Sequence, residues 1–209
     1  MKLFDWIHHG YVYGRRVENI CRHFAELIPR NAAVLDVGCG DGLVAKTILG
    51  QRSDISITGI DVLARPETFI PVTEFDGSII PYSDSSIDVV MFVDVLHHTD
   101  SPEILLREAH RVARACIIIK DHLLEGFAAN ATLRFMDIVG NERYGVRLPH
   151  NYWARQRWTE TFAKVGLDSA AYINDLNLYP WWANWVFGRR LHFITKLVKT
   201  ELAPISMCA

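Results

Sequence analysis

Acids and histidines punctuate the ends of apolar runs along much of this sequence: Asp36, Asp61, Asp76, Asp94 with His97 and His98, and Asp121 with His122. Placement at strand ends suits chemistry, because open α/β sheets bind ligands outside the carboxyl ends of their strands. The first acid sits in Val34-Leu35-Asp36-Val37-Gly38-Cys39-Gly40-Asp41-Gly42. Gly38, Gly40 and Gly42 remove the Cβ at alternate positions of a turn, so a ligand can lie against the backbone N–H groups. A helix beginning near Leu43 offers its N-terminus to that ligand. Asp36 would repel a pyrophosphate and suits a ligand with an amine or a cation. The plainer reading is a turn whose glycines only let strand and helix pack closely; three glycines beside an acid weigh against it.

Asp61 ends the next apolar run, 25 residues beyond Asp36. An acid there can bind the ribose hydroxyls of a nucleoside, or simply cap a turn. Asp76, followed by Gly77, can accept a hydrogen bond from an exocyclic amine; an ordinary Asp-Gly turn is the competing reading. Ile79 and Ile80 follow and can face a flat ring. Asp94, His97 and His98 stand at the end of a central strand. The two histidines raise the question of a metal, but adjacent histidines seldom reach one ion and no third ligand is close in sequence, so no metal site is expected. Asp121 and His122 close the next strand and suit a general base near a reacting atom; a helix cap and a pocket wall are the bland alternatives.

These groups need strands to deliver them. Residues 32–37, 55–61, 69–75, 87–93 and 115–119 read as strands, with residues 87–93 and 115–119 apolar throughout or nearly so and hence central and parallel. Pro71 marks residues 69–75 as an edge. Residues 17–28 place Val17, Ile20, Cys21, Phe24, Leu27 and Ile28 on one helical face. Before them lies an aromatic, basic stretch in which Tyr11, Tyr13 or Arg16 could close over a ligand, or merely form an arm. Ser101-Pro102-Glu103 opens a helix, and residues 157–165 form another, ended by Gly166. Residues 167–178 contain a strand, and 191–199 read as one more.

Between residues 123 and 152 the chain is least regular. It carries a helix around Leu133 to Val139 and then Arg143, Tyr144, His150 and Tyr152, polar groups open to either a substrate or a structural role. Trp181 to Phe187 holds three tryptophans with Arg189 and Arg190 behind them. It reads as a substrate wall, a membrane-surface patch or, most ordinarily, a rigid aromatic connector inside the fold.

The composition narrows the classes. An apolar fraction of 50% supports a core in one domain spanning residues 1–209, and a net charge of −2 with no basic face argues against nucleic acid. Cys21, Cys39, Cys116 and Cys208 have no regular spacing and read as reduced thiols. No signal-type segment and no run of roughly 20 apolar residues is seen, so a cytoplasmic protein is expected.

The ordered set VLDVGCGDG (34–42), ITGIDV (57–62), FDGSIIPYSDSSIDVVMFVDVLHHTDSPEILLREAHRV (75–112) and WTETFAKVGL (158–167) resembles class I S-adenosylmethionine-dependent methyltransferases, most closely the ubiquinone-biosynthesis-like group. The resemblance implies a doubly wound, mostly parallel seven-stranded α/β sheet, Rossmann-like, with a C-terminal antiparallel strand. A helical and loop insertion near residues 122–155 would shape the substrate pocket. S-adenosyl-L-methionine is the implied cofactor. Asp36 with the Gly38, Cys39 and Gly40 turn would take its methionine portion. Asp61 with Val62 would bind the ribose, and Asp76 with Gly77 and Ile79 the adenine. Asp94 to His97 would wall the methyl group, and His122, Asp121 and His97 are the catalytic candidates. The aromatic content of the insertion and of Trp181 to Phe187, with no basic face, points to a small, partly apolar acceptor. The chain departs from the family where Arg111-Val112-Ala113-Arg114 replaces its frequent Pro-Gly-Gly turn, and in the long segment after His122.

Two other classes compete. A nicotinamide dehydrogenase shares a glycine turn and a later acid, but Leu43 stands where its third glycine would be and Asp36 would meet the pyrophosphate. A non-catalytic protein that binds the cofactor, or nothing, and acts as a partner or scaffold is the other; Asp36, Gly38, Gly40, Asp61 and Asp76 together argue against a degenerate site.

Overall fold

The computed structural model describes residues 13–63, 65–141 and 148–200. Tyr11, Arg143, Tyr144 and Cys208 lie outside them, and the Tyr13 side chain is likewise not described. A seven-stranded sheet runs in the order β3-β2-β1-β4-β5-β7-β6. Its strands are β1 (Ala33–Val37), β2 (Ser56–Asp61), β3 (Val72–Glu74), β4 (Ile87–Val93), β5 (Ala113–His122), β6 (Leu167–Ile173) and β7 (His192–Lys199). Strands β1 to β5 pair in parallel, and β7 runs antiparallel between β5 and β6. The architecture is the Rossmann-like one expected, and β3 is the short edge strand that Pro71 predicts.

Helices cover both faces: α1 (Tyr13–Leu27), α2 (Leu43–Gln51), α3 (Pro102–Val112), α4 (Ala129–Asn141) and α5 (Arg155–Val165). Strands β1 and β4 are buried on both faces, so alternate residues enter two cores. Leu35, Val90 and Phe92 pack with Leu105 of α3 and Trp158 of α5. Val34, Val89 and Met91 pack with Phe24 of α1 and Ile48 of α2. The apolar stripe of α1 is the one periodicity predicts: Ile20, Cys21 and Phe24 are buried to 2% exposure or less.

Helix α3 runs straight into β5, as the missing Pro-Gly-Gly turn implied; Val112 ends one and Ala113 begins the other. Pro102 opens α3, but Ser101 makes no side-chain capping bond. Gly166 closes α5 at φ 79°. Cys21, Cys39 and Cys116 are free thiols.

Between β5 and α5 the described residues 123–141 and 148–153 lie outside the sheet. Leu123 N donates to Leu191 O, and Leu124 N to Trp153 O, so both ends of the excursion are tied to the sheet edge. Residues 181–188 form an irregular helical stretch before β7. The expectation of an aromatic connector inside the fold is not met: Trp181 and Trp185 are 86% and 80% exposed, and Trp182 is half-exposed. The helical turn buries Ala183 instead and leaves the indoles outside.

Candidate active site

The C-terminal ends of β1, β2, β4 and β5 lie side by side, so the acids at those ends share one edge of the sheet. Beyond β1, the three glycines do different work. A Cβ on Gly38 would stand 2.6 Å from the Val95 side chain, and one on Gly42 would stand 2.5 Å from Ile70. Those two admit neighbouring side chains, which is the packing reading of the turn. Gly40, at φ 59°, has nothing within 4 Å of an added Cβ. It is the place where a ligand can approach the backbone.

Gly40 N donates to Asp61 Oδ2 at 2.7 Å, and Leu63 N donates to Asp61 Oδ1 at 2.9 Å. The acid at the end of β2 is thereby aimed across the open glycine. Cys39 turns its thiol over Gly59 and donates it to Gly40 O at 3.8 Å, which ties the side chain to the turn. Asp36 is 2% exposed. Burial and the neighbouring Asp61 charge push its carboxyl up to about 8, so it holds a proton at neutral pH. A ligand ammonium beside it would favour the carboxylate again.

Val62 and Ile79 are 56% and 63% exposed, which is unusual for such side chains flanking acids. Gly77 brings the two loops together: its Cβ would stand 3.0 Å from Val62 Cγ1. Asp76 Oδ1 accepts from Ser78 N at 2.7 Å and Ile79 N at 2.8 Å. The Asp-Gly turn reading therefore holds for Oδ1, and these bonds draw the carboxyl below the usual range. The result is an apolar, acid-edged shelf beside the open glycine.

A buried polar cluster follows at the ends of β4 and β5. Asp94, at φ 58°, pairs with Lys120 and with Arg16 of α1, and lies 3.5 Å from His122 Nε2. Burial opposes its charge, but Lys120 and Arg16 hold it well below the usual carboxylate range. Pairing of His122 with His192 across β5 and β7 places their Nδ1 atoms 3.0 Å apart. His192 Nε2 donates to Phe187 O at 3.1 Å. That bond assigns His192 Nδ1 as an acceptor, which takes Nδ1–H of His122 and leaves the His122 Nε2 lone pair toward Asp94. Burial and the Lys120 charge hold His122 well below its usual value, hence neutral.

Asp121 serves differently. It accepts from His97 Nδ1 at 2.7 Å, from His122 N at 2.7 Å and from Leu96 N at 3.1 Å. It is a clamp on the 94–98 turn. His97 Nε2 lies 3.3 Å from Asp137 Oδ1, and Tyr152 donates to Asp137 Oδ2. Burial works against a charge on His97, but the two flanking acids raise it to about 10. Ligand atoms of His97, His98 and Asp137 fall within 4.8 Å of one another, as do those of Asp94, His97 and His122. Both sets use His97, whose two nitrogens already engage carboxylates as an imidazolium. The arrangement handles protons well and supplies an internal partner for each acid.

Sequence patterning brought Asp36, Gly40, Asp61, Asp76, Asp94, His97, Asp121 and His122 to one edge. It missed Lys120, Asp137 and His192. Lys120 was visible as a charge ending an apolar strand, and Asp137 as an acid inside an apolar helical run. His192 gave no local signal. Arg16 belongs to the cluster through Asp94; His150 Nδ1 lies 3.2 Å from Tyr152 Oη at its margin.

Comparison with known proteins supports the fold. A family model described as a methyltransferase domain matches residues 35–115. The 27-O-demethylrifamycin SV methyltransferase of Amycolatopsis mediterranei (strain S699) is 26% identical over 129 residues, 52% of this chain and 47% of that protein. The chain thus spans about half the length of that curated relative. Among solved structures, a chain from the complex of the Haloferax volcanii Trm112 methyltransferase activator with a methyltransferase superposes with a TM-score of 0.66 at 16% identity, covering 93% of this chain and 96% of that one. A SAM-dependent methyltransferase from Aquifex aeolicus gives 0.58 at 17%, covering 86% and 88%. At these identities the likeness is one of fold.

Proposed function

We propose that this chain, which has the fold and the central domain of class I S-adenosylmethionine-dependent methyltransferases, transfers a methyl group from S-adenosylmethionine to a small, partly apolar acceptor. One observation carries the reading: buried Asp36 on β1, open Gly40 bonded to Asp61 at the end of the neighbouring β2, and exposed Val62 and Ile79 beyond it share one edge of the sheet. That row matches an amino-acid end, a ribose and a flat base in order. The ubiquinone-biosynthesis-like subgroup is the finer assignment we favour, on the motif order alone.

In this reading Asp36 and the Gly38 to Gly40 backbone hold the methionine end. Asp61 takes the ribose hydroxyls, in exchange for part of its present bonding to Gly40. Asp76 and Gly77 edge the adenine between Val62 and Ile79. Bound S-adenosylmethionine supplies an already activated methyl, so alignment and exclusion of water are the main tasks left to the protein. His122 receives the acceptor's proton at Nε2, beside Asp94, whose charge stabilises the imidazolium that results. Asp121 and His97 position that pair by clamping the 94–98 turn. His122 is 3% exposed; its neighbour Asp94 carries Arg16 above it, so the acceptor enters as that pair parts.

The test is calorimetry with S-adenosylhomocysteine. Micromolar binding is expected, with no comparable affinity for NAD. If the nicotinamide cofactor binds instead, or neither does, the reading fails.

A further inference from the structure

The outer face of α4 and residues 181–188, whose inner groups Asp137 and Phe187 O reach the polar cluster, carries the most exposed aromatic side chains among the described residues. Phe127 is 91% exposed, Trp181 86%, Trp185 80% and Phe135 56%, with Trp182 and Ile138 also exposed. The two segments form one surface. Phe135 stacks on Phe187 with ring centroids 6.2 Å apart, and the Arg189 guanidinium donates to Phe127 O at 3.0 Å and to Thr132 Oγ1 at 2.8 Å. Scattered exposed apolar residues are normal on proteins, but a contiguous group of this size marks an interaction site.

Charge decides what it meets. Residues 126–141 contain a single acid, Asp137, which is buried, and residues 176–199 contain none. Arg134, Arg189 and Arg190 are exposed within these segments. Indoles and phenyl rings accompanied by exposed Arg134 and Arg190, with no exposed acid within these two segments and Glu125 and Asp175 just outside them, are complementary to an anionic lipid interface. There the rings enter the headgroup boundary and the guanidinium groups meet phosphates.

We propose that this face docks the protein on an anionic lipid bilayer. No helix among the described residues is long and apolar enough to cross a membrane, so the contact is peripheral. It is also joined to the site, since Phe187 O holds the His192 ring that bonds His122. An acceptor dissolved in the bilayer would then reach the catalytic edge from the lipid side; this last step rests on the methyl-transfer reading, and the docking does not.

Flotation of the full chain with vesicles tests it. Vesicles of phosphatidylcholine with phosphatidylglycerol should carry the protein, and pure phosphatidylcholine should carry it at least roughly tenfold less well, given about fivefold per arginine at the surface. Trp181→Gln with Trp185→Gln should cut binding by about tenfold or more, and Arg134→Gln with Arg190→Gln by at least about tenfold. Far-UV circular dichroism and S-adenosylhomocysteine affinity should stay unchanged in both pairs. Absence of wild-type flotation overturns docking. So does flotation that these variants leave intact, or a dimer that the tryptophan pair dissociates while vesicles remain unbound. Cofactor binding without flotation would leave the methyl-transfer reading standing.

Discussion

His122 and His192, 70 residues apart in the chain, meet Nδ1 to Nδ1 at 3.0 Å. Only one of those nitrogens can carry the proton between them. The Phe187 carbonyl on the far side of His192 selects which, and so orients the lone pair of His122 toward Asp94.

If His122 is the base, His122→Asn lowers turnover by roughly 100-fold or more while S-adenosylhomocysteine affinity is retained. His192→Phe removes the acceptor for His122 Nδ1–H, so turnover falls with affinity again intact. Unaltered turnover in His122→Asn would return the ring to a purely structural place.

Asp61→Ala removes the partner of Gly40 N and, in the proposed cofactor site, the ribose contact with it. Loss of a charged hydrogen bond corresponds to roughly 10- to 100-fold in affinity, read by calorimetry with S-adenosylhomocysteine. Affinity within a factor of two of wild type would remove Asp61 from the cofactor site.

Gly38 and Gly40 should separate packing from binding. Gly40→Ala meets open space, so the thermal midpoint falls only by the strain of a positive φ, about 1–2 kcal/mol, while cofactor affinity drops sharply. Gly38→Ala drives a methyl into Val95, so destabilisation dominates. Equal loss of affinity and stability in both variants would show that Gly40 does not face the ligand.

His97 supplies a pH signature. Its folded pKa, about 10, stands above the ordinary imidazole value of 6.5, so its contribution to stability is full below about pH 6.5 and is lost as pH rises through 10. Urea midpoints should decline across that window. His97→Gln should be less stable at pH 6 and show a flatter decline. An identical slope in the variant would place the titration elsewhere.

Much of this edge was legible beforehand because it is local. The run from Val34 to Val37 into a glycine turn, and the apolar blocks ending at Asp61, Asp94 and Asp121, declare themselves within a few residues, since a strand buried on both faces must be apolar and its polar residues collect at its end. Asp76 was half legible: its pattern fits both a turn and a ligand contact, and Oδ1 makes the turn. The acceptor side was not legible. Lys120 looked like a strand terminus until Asp94 and Arg16 were seen beside it, and Asp137 looked like a helical polar position until it met His97.

By itself, then, the sequence determined the strand–turn–helix units, the parallel centre of the sheet and the row of acids, all through short-range periodicity and glycine placement. Tertiary structure alone decided which glycine is left open, which tautomer His122 holds, and that the tryptophans point outward. Each of those depends on a neighbour distant in the chain: Val95 against Gly38, His192 brought to His122 by the antiparallel register of β5 and β7, and α4 laid beside residues 181–188. Periodicity reports which face of an element is apolar; it carries no information about what stands opposite that face.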